Sequence, residues 1–128
     1  MKAIRTGANM SKSIFCDVDG VLIEQVENYM EHIANGAKFK TLPGVLEKLK
    51  EWEGKNYRLI LTTARKEGSR KVTEQQLSEL GIFYDQLVMG LGTGPRVVIN
   101  DLKPGRENVM MAEAVNVRRN EGIAKVDV

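Results

Sequence analysis

Ser13-Ile14-Phe15-Cys16-Asp17-Val18-Asp19-Gly20-Val21-Leu22 runs from a short apolar stretch into two acids and a glycine. An apolar run of this length, bounded by polar or glycine residues, suits a buried parallel strand, here Ser13 to Asp17. Three similar runs follow: Tyr57 to Thr63, Gln86 to Met89, and Arg96 to Asp101. Helical patterns lie between them. Pro43 suits a first helical turn, and Val45, Leu46, Leu49 and Trp52 then recur at helical spacing. From Ser69 to Leu80, Val72, Gln76, Leu77 and Leu80 mark one face, with Gly81 as a C-cap. Glu24 to Lys38 is weakly helical, and Ala114 to Val117 alternates like a fifth strand. Strands alternating with helices predict βαβ units, a mainly parallel sheet and right-handed crossovers.

The chain has 128 residues, which at about 150 residues per domain implies one. Residues 1–12 show no apolar period and read as a leader, leaving 13–128 as a single domain. No apolar run approaches the roughly 20 residues of a membrane span, and the N-terminus lacks the apolar core of a signal peptide. One cysteine excludes a disulfide framework and multi-cysteine zinc sites, so a reducing cytoplasm is the expected setting. The net charge of +2 and the 5% aromatic content lack the basic bias and stacking platforms of a nucleic-acid module.

In an open parallel sheet, ligands bind beyond the carboxyl ends of the strands. Three predicted strands end in polar groups: Asp17 with Asp19, Thr63 with Arg65, and Asn100 with Asp101. Acids converging on one edge repel each other unless a cation sits among them, and such oxygen ligands suit Mg²⁺. Taken singly, each acid is better explained as a turn former or helix cap; the convergence of three clusters favours function.

The segment Phe15 to Leu22 resembles the first motif of the haloacid dehalogenase-like (HAD) superfamily, an apolar strand followed by Asp-x-Asp-Gly-x-Leu. Leu59 to Arg65 resembles its second motif, and Val97 to Asp101 its fourth. The resemblance implies a three-layer Rossmann-like fold, a mainly parallel central sheet and phosphatase chemistry. It is nearest to small members with a Thr-Ala-Arg second motif, some associated with surface-polysaccharide biosynthesis. It casts Asp17 as a nucleophile that forms an aspartyl-phosphate and Asp19 as general acid and then base. Thr63, with Thr62 as the competing choice, would bond a phosphoryl oxygen. Asp101, Asp17 and the carbonyl of Asp19 would hold Mg²⁺. The sequence departs from the pattern twice. No lysine stands before Asn100 where the third motif would supply one, which leaves Arg96 as the first candidate, with Lys66, Lys71 and Lys103 behind it. Asn100 replaces the first acid of the fourth motif and would ligate without charge.

The intervals from Asp17 to Thr63 and from Thr63 to Asn100 leave no room for a sizeable cap domain, the second being about one βαβ unit. At most, Glu24 to Phe39 forms a small flap. The leading expectation is an enzyme, a Mg²⁺-dependent phosphomonoesterase acting on a phosphorylated sugar or another small metabolite, away from membranes. A homo-oligomer is one way to cover the open site. Two alternatives stand beside this. One is a nucleic-acid or nucleotide end phosphatase, permitted by the Arg65-Lys66 and Arg70-Lys71 pairs. The other is a catalytically weak phosphate-binding regulator, motivated by Asn100 and the missing lysine.

Overall fold

A computed structural model describes residues 10–128; the leader reading over 1–9 lies outside the described residues. Strand β1 (Ser13–Asp17) is followed by helices α1 (Tyr29–Ala34) and α2 (Val45–Gly54), strand β2 (Arg58–Thr62), helix α3 (Arg70–Glu79) and strand β3 (Gln86–Val88). A 3₁₀ turn at Glu67–Ser69 leads into α3. The α/β class is as the alternation predicts: three parallel strands in the order β1-β2-β3. The flap is also as small as the spacing predicts, a six-residue helix in the β1–α2 connection.

Register fixes which side chains meet. Cys16 pairs with Leu61 and Leu61 with Leu87, while Asp17 pairs with Thr62 and Thr62 with Val88. Alternation along a strand then sends the two sets to opposite faces. The first set, with Ile14 and Leu59, faces the core. Val45 and Trp52 of α2, Leu77 of α3 and Ile123 of the tail complete that core. The second face is less covered: around the buried Ile60, Phe15 is 65% and Val88 36% exposed.

The runs at Arg96–Asp101 and Ala114–Val117 form no strand, which corrects the reading of a fourth and a fifth. Val97, Val98 and Ile99 are 82%, 60% and 90% exposed. An apolar, β-branched run expresses a preference for a covered pleat, but a strand exists only where an edge pairs with it. Here Asn100 instead donates through Nδ2 to the carbonyl of Met111 at 3.1 Å.

The tail returns to the first loop. The Asn120 N–H donates to the Gly20 carbonyl at 2.8 Å, and the Gln25 N–H donates to Asn120 Oδ1 at 2.7 Å. This turn inserts Ile123, 2% exposed, into the core. Gly122 has φ +83°, and a Cβ there would overlap the Pro43 carbonyl oxygen. Left-handed backbone alone costs an L-residue about 1–2 kcal/mol. Gly122→Ala is therefore expected to destabilise by at least about 2 kcal/mol, read as a lower urea midpoint; an unchanged midpoint would show that the returning turn contributes nothing.

Candidate active site

Asp17 ends β1, and the chain then turns tightly. The Leu22 N–H donates to the Val18 carbonyl at 2.9 Å and the Gly20 N–H to the Ile23 carbonyl at 2.7 Å. Gly20 supplies the positive φ of +83° that the turn needs. The turn leaves Asp17 and Asp19 at the carboxyl edge of the sheet. The Val18 N–H donates to Asp17 Oδ1 at 2.9 Å.

Arg65 organises the site. Its side chain is 1% exposed, against 17% for Asp19. Nε donates to Asp19 Oδ2 at 2.9 Å and Nη2 to Asp19 Oδ1 at 2.7 Å. Nη1 donates to Thr73 Oγ1 at 3.1 Å and to Gln76 Oε1 at 2.8 Å, both on α3. The guanidinium carbon lies 4.1 Å from the centroid of the Tyr29 ring, a cation–π contact that latches α1 over it. A planar fork of this kind suits arginine and could not be matched by lysine. Each carboxylate oxygen of Asp19 keeps a lone-pair site beyond the one the fork takes.

The two threonines are placed differently. Thr62 stands in register beside Asp17 and is half-buried. Thr63 is 1% exposed, and its Oγ1 accepts the Arg65 N–H at 3.1 Å. Arg96 donates to the Gly94 carbonyl at 2.9 Å and lies close enough to Asp17 to act on its charge. Asp101 is not brought to Asp17. It is exposed and accepts from Lys103 Nζ at 2.8 Å, a contact that lowers its pKa. Lys66 and Lys71 are exposed.

Among the described residues, no three His, Cys, Asp or Glu side chains group as a metal-holding cluster. Asp17 and the Asp19 carbonyl, if they held Mg²⁺, would do so with a hard oxygen donor set. Asp101, the third expected donor, does not join Asp17 and Asp19 in such a group, and no step below is routed through the ion.

The Asp17 pKa is raised above the ordinary carboxylate value. Burial of the carboxyl by its surroundings is the main cause, and the like charge of Asp19 adds to it. The Val18 N–H, Arg96 and Arg119 pull the other way. The residue as a whole is nonetheless exposed at the strand end.

Arg119 was not among the residues singled out in the sequence. Its Cγ lies 3.2 Å from where a Gly20 Cβ would stand, and its charge is felt at Asp17. Among the described residues its guanidinium has no ion pair or hydrogen bond. The Arg118-Arg119-Asn120-Glu121-Gly122 stretch reads only as a basic turn, with no local signal that it folds back to Gly20.

No protein-family model matches the chain, and no curated protein shows significant similarity to it. Solved structures do. The chain is similar to a chain of the Pnkp1/Rnl/Hen1 RNA repair complex, 28% identical over 66% of this chain and 27% of that one, with a TM-score of 0.53. A second structure of the Pnkp1/Rnl/Hen1 complex matches 70% of this chain and 31% of that one, at 27% identity and a TM-score of 0.54. This chain resembles part of an RNA repair assembly. It spans less than a third of the solved chains it matches.

Cys16 precedes Asp17 on the opposite, core-facing side. Burial, then the Asp17 charge, pushes its thiol up to about 12. Only the thiolate reacts, so Cys16 is expected to resist a thiol-reactive chromophore in the folded protein and to react fully in denaturant. Rapid labelling of the native protein would contradict its burial.

Proposed function

We propose that this chain is a phosphatase domain that removes the terminal phosphate of RNA through an aspartyl-phosphate. The observation that carries the reading is the Asp17–Asp19 pair at the carboxyl edge of a parallel sheet, with Asp19 held through both oxygens by a buried Arg65. The resemblance of the motifs to HAD phosphatases supports the chemistry. The similarity to chains of an RNA repair complex favours a nucleic-acid end over the small metabolite of the leading expectation.

In this reading an Asp17 oxygen attacks phosphorus, and the bond to the terminal ribose oxygen breaks. That oxygen takes the proton carried by Asp19. Water then attacks the aspartyl-phosphate, gives a proton back to Asp19, and releases inorganic phosphate and free Asp17. The fork from Arg65 fits the base half directly, since it orients the carboxylate while leaving acceptor sites open. In the acid half, the proton occupies one of those remaining sites. Arg119 and Arg96, whose charges are felt at Asp17, would supply positive charge for the phosphoryl oxygens. A homo-oligomer, a cytoplasmic setting and a Mg²⁺ requirement belong to the same proposal; chelation followed by Mg²⁺ addition tests the last.

The deciding experiment compares phosphate release from 3′- and 5′-phosphorylated RNA oligonucleotides with release from a panel of sugar phosphates. The expected result is a higher kcat/KM on RNA, falling as salt rises. Preference for sugar phosphates at every ionic strength would overturn the RNA assignment. Inactivity on all phosphate esters would overturn the phosphatase assignment.

A further inference from the structure

A cleft of about 520 Å³ lies between the flap and α3, outside the residues that would handle the phosphate. Its volume falls in the range of small-molecule sites. One wall is a complete helical stripe. Val72, Gln75, Gln76, Glu79 and Leu80 follow the spacing of one helix face, while the buried Thr73 and Leu77 of α3 are spaced along another. The opposite wall comes from Ile33 and from the turn after α1, where Phe39 presents a half-buried ring. That ring is held edge-on to His32, with centroids 6.4 Å apart and planes at 64°.

The chemistry of the walls is mixed in a particular way. Phe39, Ile33, Val72 and Leu80 are apolar surfaces. Gln75 and Gln76 add amide groups. Gln76 Oε1 is taken by Arg65, and its Nε2 has no partner among the described residues. Lys38 stands at the rim, 4.0 Å from Glu79 and 84% exposed. A ligand with a flat apolar face and a hydrogen-bonding edge satisfies both sets at once; that description fits a nucleobase. Single-stranded RNA is read in this way, by stacking on aromatic rings and by bonds to base edges. Gln76 also ties the cleft to the phosphate edge, since it bonds the same guanidinium that grips Asp19.

We infer that this cleft is a nucleobase subsite, taking a base of the RNA strand whose end lies at Asp17. The inference rests on the RNA-end reading for its substrate, but it is tested by binding rather than turnover. Fluorescence anisotropy on the full chain would compare a short single-stranded RNA with the same strand made abasic at its terminal positions. Wild type is expected to bind the base-bearing strand more tightly. Phe39→Ala is expected to weaken that binding about 10-fold or more and to leave binding of the abasic strand unchanged. Phe39→Leu, which keeps apolar bulk without a ring, should bind like Phe39→Ala, and Phe39→Trp like wild type; thermal melts confirm that each variant is folded. Equal binding of the two strands by wild type, or wild-type affinity in Phe39→Leu, would overturn the subsite. A protein that turns over no RNA phosphate yet shows the Phe39-dependent difference would keep the subsite and lose the phosphatase reading.

Discussion

Asp17→Asn is expected to abolish turnover and, at neutral pH, to make the protein harder to unfold. The two effects have one origin. Asp17 carries a carboxyl whose pKa is raised by burial first and by the charge of Asp19 next, against the pull of the Val18 N–H, Arg96 and Arg119. A folded pKa above the unfolded one means that the native state binds the proton more tightly. Stability from this group is then fully present below the ordinary carboxylate pKa and is lost as pH rises through the folded value. At pH 7 the ionised carboxylate therefore works against the fold. Asparagine removes the charge and keeps an oxygen for the Val18 N–H. It cannot attack phosphorus, so activity should fall by about three orders of magnitude or more. The melting temperature should rise at pH 7, and the advantage should vanish on acidification through the carboxylate range. A variant less stable than wild type at pH 7 would contradict this account of Asp17.

Arg65→Ala is expected to give the opposite pairing, a large loss of stability together with loss of activity. Its guanidinium is buried and bonded to Asp19, Thr73 and Gln76. Removing one partner of a buried ion pair typically costs about 3–5 kcal/mol, because the other charge is left uncompensated. Asp19 retains some contact with water, which places the expected loss near the lower end, about 3 kcal/mol. Arg65→Lys should recover part of the stability, since charge is kept, and little of the activity, since one ammonium cannot orient both oxygens of Asp19. Urea denaturation and kcat read the two separately. Full activity in Arg65→Lys would mean that the fork does not position Asp19.

What the sequence made legible followed its local physics. The run at Ser13–Asp17 is a strand with those bounds, the stretch at Tyr57–Thr63 contains β2, and the apolar face over Ser69–Leu80 contains α3. Each is a short-range pattern of burial, and the residues around it satisfy it. Val97-Val98-Ile99 carries an equally good pattern and forms no strand. A pattern states what a segment prefers, whereas pairing depends on which edge is offered to it. The site divides in the same way. Asp17 and Asp19 were legible because strand ends converge by topology. Arg65 was visible as a polar residue at a strand end, but its fork depends on Thr73 and Gln76, which reach it from a separate helix. Arg119 approaches Gly20 from the far end of the chain, through a backbone bond that no spacing encodes.

That return of the tail joins folding to chemistry. Ile123 fills the core and Arg119 brings its charge to bear on the nucleophile, only four positions apart on one turn pinned at Gly20 and at Pro43. A chain that has not seated this turn lacks a piece of its core and a cation of its site together. Completion of the fold is thereby also assembly of the site, so a partly folded chain, with the turn still free, would hold the nucleophile without the Arg119 charge set against it.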